Sequence, residues 1–337
     1  MAMKVLFIGG TGLISTAVSE LAVKKGIELY LLNRGNRPGF VPQGAKVLQG
    51  DINDAAQMKS LLGNLHFDSV VDWIAFEPNA IERDISLFTG RTDQYIFISS
   101  AATYQREATQ YLIDEAAPQN NPGWDYAMNK IACEQRLMEE YRKNGFPVVI
   151  VRPSHTYGLT SIPFALSSWA RPWTIVDRML RGKPIIVPGD GTSLWSITHN
   201  SDFAKGFVGL LGNTMTLGHS FHITSDEVKT WDQYARIIGQ AVGVMPKLMH
   251  IATDTIVRFM PDQVGPLLGD TCRTCILDNS KIKRFVPGYV ATTNFETGIR
   301  KTIDYFNAHP ELKMVDEDVN ARMDSLIAKY NHFLEQL

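Results

Sequence analysis

Short, uninterrupted apolar runs dominate the first half of the chain: Val5 to Ile8, Leu29 to Leu32, Val47 with Leu48, Val70 to Ala75, Tyr95 to Ile98 and Val148 to Val151. Strands buried on both faces of a parallel sheet have this continuous character, whereas a half-solvated strand alternates. The segments between several runs carry helical spacing, as at Val18, Leu21 and Ala22. The repeated β-α-β rhythm predicts an α/β protein: a Rossmann-type, doubly wound parallel sheet with right-handed crossovers.

Beyond Val151 the rhythm breaks. Pro153 to Pro172 is rich in Pro, Trp and Ser; a helix is expected over Thr174 to Arg181, and Val187-Pro188-Gly189-Asp190-Gly191 reads as a turn. A further buried strand is predicted over Phe221 to Thr224, and helices over Trp231 to Ala241, Gly298 to Ala308 and Asp316 to Leu337. The expected organisation is a dinucleotide-binding domain over residues 1–157, to which 198–226 return, and a smaller, mainly C-terminal substrate lobe from 158–197 and 227–337.

Composition narrows the class. With 45% apolar and 20% charged residues among 337, the chain can bury a sizeable core, and disorder or a disulfide scaffold is excluded. The net charge of -2 provides no global positive field for nucleic acid or anionic lipid. Too few apolar residues precede Gly9 for a signal-peptide core or a membrane span, which predicts a cytoplasmic protein with no membrane partner. Three cysteines and eight scattered histidines show no metal-ligand spacing; Cys272 and Cys275 have no second pair, so no metal is expected.

The first apolar run leads into Gly9-Gly10-Thr11-Gly12-Leu13-Ile14-Ser15, with helical spacing after it. Glycines at a strand-to-helix turn permit the tight bend and close backbone approach to a pyrophosphate, whose charge favours the helix N-terminus. Gly9, Thr11, Gly12, Leu13 and Ile14 are therefore candidate cofactor contacts, with Ser15 in the packing position of a third glycine. The next run ends in Asn33-Arg34, where an NAD enzyme normally presents a carboxylate to the ribose 2′-hydroxyl. Arg34 can pair with a 2′-phosphate and Asn33 can hydrogen-bond it, so NADP is favoured over NAD.

Tyr126 and Lys130 lie four apart in a helical segment and so share a face. A nearby ammonium favours phenolate, which converts tyrosine into a usable acid/base.

These motifs resemble, over nearly the whole chain, those of the extended short-chain dehydrogenase/reductases, the NAD-dependent epimerase/dehydratase family. The resemblance rests on Gly9 to Ser15, Gly50-Asp51, Ile98-Ser99-Ser100-Ala101-Ala102-Thr103-Tyr104, Tyr126 to Lys130, Val151-Arg152-Pro153, Tyr157-Gly158 and Gly189-Asp190-Gly191 through His199 to Asp202. It implies Tyr126 as general acid/base and Lys130 as its pKa modulator and a ligand of the nicotinamide ribose. Ser100 would orient the substrate oxygen. Asp51 and Ile52 would border the adenine, Ala75 the ribose, and Pro153 onward the carboxamide. The implied activity is that of an NAD(P)-dependent oxidoreductase or sugar epimerase/dehydratase acting on a small molecule, a sugar or nucleotide sugar among the candidates; a homodimer is left open.

Two departures stand out. Nucleotide-sugar members usually place an arginine for the substrate diphosphate after the Gly-Asp-Gly turn, where this chain has Thr192-Ser193-Leu194-Trp195. Asp72-Trp73-Ile74-Ala75-Phe76 also replaces the family's usual small-residue loop. Trp169, Trp173 and Trp195 are either an apolar substrate wall or core aromatics. The alternative class, an RNA-binding or regulatory nicotinamide-binding protein on the same fold, is disfavoured by the intact Ser100, Tyr126, Lys130 set and the net charge.

Overall fold

The apolar runs become the strands of one parallel sheet in the computed structural model, which describes residues 2–105 and 110–336. These are β1 (Lys4–Ile8), β2 (Glu28–Asn33), β3 (Lys46–Gln49), β4 (Ser69–Asp72), β5 (Tyr95–Ile98), β6 (Val148–Val151) and β7 (Ser220–Phe221). Their order is β7-β6-β5-β4-β1-β2-β3, so the chain winds outward from β1 in both directions and creates a crevice at the carboxyl ends of β1 and β4.

Successive side chains point to opposite faces of a strand, and each face has its own helices. Val5 and Phe7 pack with Val18 and Ala22 of α1 (Leu13–Lys24). Leu6 and Ile8 pack on the other side with Met58 and Leu62 of α2 (Ala55–Leu62), Ile81 and Ile85 of α3 (Pro78–Phe88), and Leu137 of α4 (Asp125–Asn144). A third cluster forms the second lobe: Trp173 and Val176 of α5 (Trp173–Leu180), Trp195, and Phe295 and Phe306 of the helix Phe295–Ala308. Helix α6 (Asn200–Val208) returns to the sheet, where Phe203 and Phe207 cover the α1 side. Trp231 and Tyr234 of α7 (Trp231–Ala241) join the third cluster. The segment containing Ile282 and Tyr289, although C-terminal, also packs against the sheet on the α1 side.

Two strands are shorter than their apolar runs predict. The run Val70 to Ala75 stops pairing at Asp72, whose Oδ1 accepts hydrogen bonds from the Ile74 and Ala75 amides at 2.6 and 2.7 Å and turns the chain. The expected strand Phe221 to Thr224 pairs only through Phe221 before the chain leaves the sheet. The predicted helices over Thr174 to Arg181, Gly298 to Ala308 and Asp316 to Leu337 are Trp173–Leu180, Phe295–Ala308 and Glu317–Leu334. Among the described residues no helix is long and apolar enough to cross a membrane.

Candidate active site

A cavity of about 810 Å³ opens along the carboxyl ends of β1, β2, β4 and β5 and extends under the second lobe. Its first wall is the turn after β1, where Gly9 and Gly10 have φ of 97° and 89°, a left-handed backbone that a side chain would strain. A Cβ on Gly10 would also lie 2.7 Å from Leu31 Cδ2. Ser15 accepts a hydrogen bond from the Gly12 amide at 2.8 Å, so the Ser15 hydroxyl caps the protein's own helix. Thr11, Leu13 and Ile14 line the cavity beside Gly9 and Gly12.

The adenosine-sized end is bounded by Asn33, Arg34, Asp51 and Ile52. Asn33 Oδ1 accepts from the Gly35 amide at 2.9 Å, while its buried Nδ2 has no hydrogen-bond partner. Arg34 is exposed at this rim, joined by Arg37, whose guanidinium lies 4.2 Å from the Phe40 ring centroid.

Helix α4 supplies the other chemistry. Its sheet-facing side carries Ala127, Lys130, Ile131 and Glu134, which places Tyr126 and Lys130 one turn apart at the cavity floor. Ser100 and Pro153 reach the same floor from the ends of β5 and β6. Ser99 is not interchangeable with Ser100: it donates to the Glu134 carboxylate and is buried, whereas Ser100 lines the cavity in contact with Tyr126.

Lys130 is 2% exposed, and its Nζ donates to the Ala75 and Ile98 carbonyls at 2.6 and 2.7 Å. Burial draws its pKa down to about 8. The expected depression of the Tyr126 pKa is not what this arrangement produces. Burial is the largest influence and holds the phenol above its ordinary value; the Ser100 hydrogen bond opposes it and the Asp270 charge reinforces it. The Lys130 ammonium is turned onto the two carbonyls, 6.0 Å from the Tyr126 ring centroid. Ala75, expected beside the ribose, does not line the cavity; it is buried behind it as the acceptor for Lys130.

The Lys130 environment gives a pH prediction. A folded-state pKa near 8, against the ordinary 10.5, means that between those values the unfolded chain holds a proton that the folded chain has released. Stability then rises with pH across this window, by about 3 kcal/mol relative to a Lys130→Met variant lacking the group. Parallel urea titrations of both proteins from pH 8 to 10.5 would show this; a constant difference between them refutes it.

Sequence reasoning missed several lining residues. Trp124 precedes Tyr126 by two positions and stacks obliquely on it at 5.0 Å, and Phe76 lies over Lys130 at 4.5 Å. Their aromatic character, adjacent to motifs already singled out, was the available signal. His155 and Asp270 also line the cavity, and Asp270 had no local signal. Of the three tryptophans in question, Trp173 is core, Trp169 is 67% exposed at the cavity, and Trp195 is fully buried with an edge on the cavity.

Comparison with known proteins agrees with this layout. The family model described as "NAD dependent epimerase/dehydratase family" matches residues 83–223. The chain is 28% identical over 264 residues to the chloroplast stem-loop binding protein of 41 kDa b from Arabidopsis thaliana, covering 73% of this chain and 65% of the relative. It is 24% identical over 336 residues to a trifunctional UDP-glucose 4,6-dehydratase/UDP-4-keto-6-deoxy-D-glucose 3,5-epimerase/UDP-4-keto-L-rhamnose-reductase from the same plant, covering 91% and 48%. The chain thus spans less than two thirds of either relative. Among solved structures, dTDP-glucose 4,6-dehydratase from Bacillus anthracis in complex with NAD superposes with a TM-score of 0.73 at 16% identity, covering 92% of this chain and 98% of that one, which shows a shared fold. The family match, the relatives and the sheet with its glycine turn together make the chain a member of the NAD-dependent epimerase/dehydratase family, the extended short-chain dehydrogenase/reductases.

Proposed function

We propose that the protein is a nicotinamide-dependent oxidoreductase or epimerase/dehydratase acting on a sugar, with Tyr126 as the proton-transfer group. The observation carrying this reading is the convergence of Ser100, Tyr126 and Lys130 at one end of a cavity whose other end is the Gly9 to Gly12 turn. The residues fit a dinucleotide: two successive left-handed glycines open the backbone to a pyrophosphate, and the unpartnered Asn33 Nδ2 lies at the ribose end. When bound, the nicotinamide accepts or returns a hydride at the substrate carbon. Ser100 Oγ holds the substrate oxygen, and Tyr126 OH exchanges its proton with that oxygen. Burial keeps the proton on Tyr126 in the free protein, which suits donation to a carbonyl. In the reverse direction the neighbouring Lys130 ammonium offsets part of the cost of phenolate. The second lobe, over 158–197 and 227–337, shapes the substrate side through Trp169, Trp195 and Asp270.

The test is direct: titrate the protein with NADP(H) and NAD(H), then follow reduction of the bound nicotinamide by near-ultraviolet absorbance with a panel of sugars. Failure to bind either nucleotide removes the reading. NADP(H) binds about tenfold to a hundredfold more tightly than NAD(H), the scale of a charge-assisted phosphate contact at Arg34 with Arg37 beside it. Arg34→Ala narrows that preference, and equal affinities in the wild type refute the Arg34 assignment.

One observation favours a second reading, RNA binding: the name of the 28% identical relative. The net charge of -2 opposes it. Retention of a stem-loop RNA at physiological salt, with no nicotinamide bound, would establish it in place of the first.

A further inference from the structure

Across the cavity from Tyr126, His155 and Asp270 form a pair that the chemistry above leaves unused. His155 Nε2 lies 3.5 Å from Asp270 Oδ2, and the two side chains are 6% and 13% exposed. Three indoles box the imidazole: Trp195 and Trp231 edge-on at 5.1 and 5.8 Å, and Trp169 tilted at 5.5 Å. Polar groups in such an enclosure are costly unless they meet polar partners, and both line the cavity.

The placement of Asp270 is built. It belongs to Val264–Thr271, a π-helix, a rare form found mostly at functional sites. Asn121 Nδ2 donates to the Gly269 and Ala102 carbonyls, both at 2.8 Å, so one carboxamide ties the Asp270 turn to the loop that follows Ser100. Trp231 Nε1 holds the Thr271 carbonyl at 2.8 Å. Gly265 lies so close to Trp124 that a Cβ there would sit 2.2 Å from the ring. The carboxylate is therefore fixed relative to Ser100 and Tyr126, and its charge is felt at the Tyr126 hydroxyl.

We propose that His155 and Asp270 recognise the ring hydroxyls of a phosphate-free glycoside, with the exposed face of Trp169 receiving the sugar ring or its aglycone. The inference rests on the sugar reading above and narrows it. A carboxylate accepts hydrogen bonds from two neighbouring hydroxyls, and an imidazole beside it takes a third. The same carboxylate repels a diphosphate. Among the described cavity residues, Arg34 and Arg37 lie at the dinucleotide end, and Lys130 is already bonded to two carbonyls. The charge on the substrate side is that of Asp270, and the surrounding surface is aromatic, a combination suited to a neutral, hydroxyl-rich ligand.

The test uses the full chain saturated with nicotinamide cofactor, titrated calorimetrically with para-nitrophenyl gluco-, galacto- and mannopyranosides, UDP-glucose and glucose 1-phosphate. At least one aryl glycoside binds more tightly than either phosphorylated sugar. Asp270→Asn, nearly isosteric, weakens that glycoside about tenfold to a hundredfold, the worth of charge-assisted hydrogen bonds, and His155→Gln weakens it in the same direction, with the cofactor Kd unchanged in both. The proposal is overturned if UDP-glucose outbinds every glycoside, if no glycoside binds, or if both variants retain wild-type glycoside affinity. Those outcomes leave the oxidoreductase reading standing, because that reading fails separately through loss of cofactor binding.

Discussion

Tyr126→Phe lowers turnover of any sugar accepted by the wild-type protein about a hundredfold or more, the usual scale for loss of a general acid/base, while cofactor affinity stays within about twofold. The two effects separate because the ring and the hydroxyl have different jobs. The ring packs against Trp124 at 5.0 Å and Phe76 at 6.3 Å, contacts that phenylalanine keeps. The hydroxyl is the proton-transfer atom in the proposed chemistry, and only it is removed. Lys130→Met follows a different pattern. It deletes the buried cation and leaves the Ala75 and Ile98 carbonyls without their donor, so the floor beneath the nicotinamide end loses both charge and anchoring. Both turnover and nucleotide affinity should then fall. The measurements are a cofactor Kd and a steady-state rate for each variant. Wild-type turnover in Tyr126→Phe would reduce the Tyr126 and Lys130 pair to an amphipathic face.

The parts of this protein legible in its sequence are those whose physics is local. Tyr95 to Ile98 and Val148 to Val151 read as strands to the residue because they lie in the sheet interior, buried on both faces. β3 gave only Val47 with Leu48, since it is an edge strand whose side chains are largely exposed and carry little apolar signal. The run from Val70 overshot its strand because Trp73, Ile74 and Phe76 are apolar for another reason: they form cavity wall after Asp72 has turned the chain. The site divides in the same way. Gly9 to Ser15 and Tyr126 to Lys130 are contiguous motifs whose chemistry follows from spacing. Asp270 joins Tyr126 only through a π-helix held by Asn121, Trp124 and Trp231, contacts that no sequence pattern announces. The Tyr126 pKa was misread for a related reason: spacing places an ammonium nearby but does not say that backbone carbonyls take its hydrogens.

Arg152→Met destabilises the fold by about 3 to 5 kcal/mol, the cost of leaving a buried carboxylate without its cation. Arg152 NH2 meets Glu134 Oε2 at 2.5 Å and its Nε meets Oε1 at 2.9 Å, with the side chains 6% and 3% exposed. The pair is the hub of a longer chain of bonds. Glu134 also accepts from Ser99 and from Gln119 Nε2, and Arg152 NH1 donates to the Tyr104 hydroxyl at 2.7 Å. With that oxygen accepting from arginine, the Tyr104 proton goes to His222 Nε2, and the His222 Nδ1 proton faces the Asp278 carbonyl at 3.2 Å. A neutral imidazole completes this pattern, and burial holds His222 neutral by drawing its pKa down to about 3. The network joins β5, α4 and β6 directly behind Ser100, so its loss should loosen the serine as well as the core. Glu134→Gln weakens the same hub from the other side by removing the negative charge. Replacing Arg152 and Glu134 together with methionine should recover part of the loss, because no buried charge is then left unpaired. Urea unfolding of the single and double variants reads these differences. A single Arg152→Met cost below about 1 kcal/mol, the range of an exposed pair, would show that the pair is solvated and that Ser100 is positioned by something else.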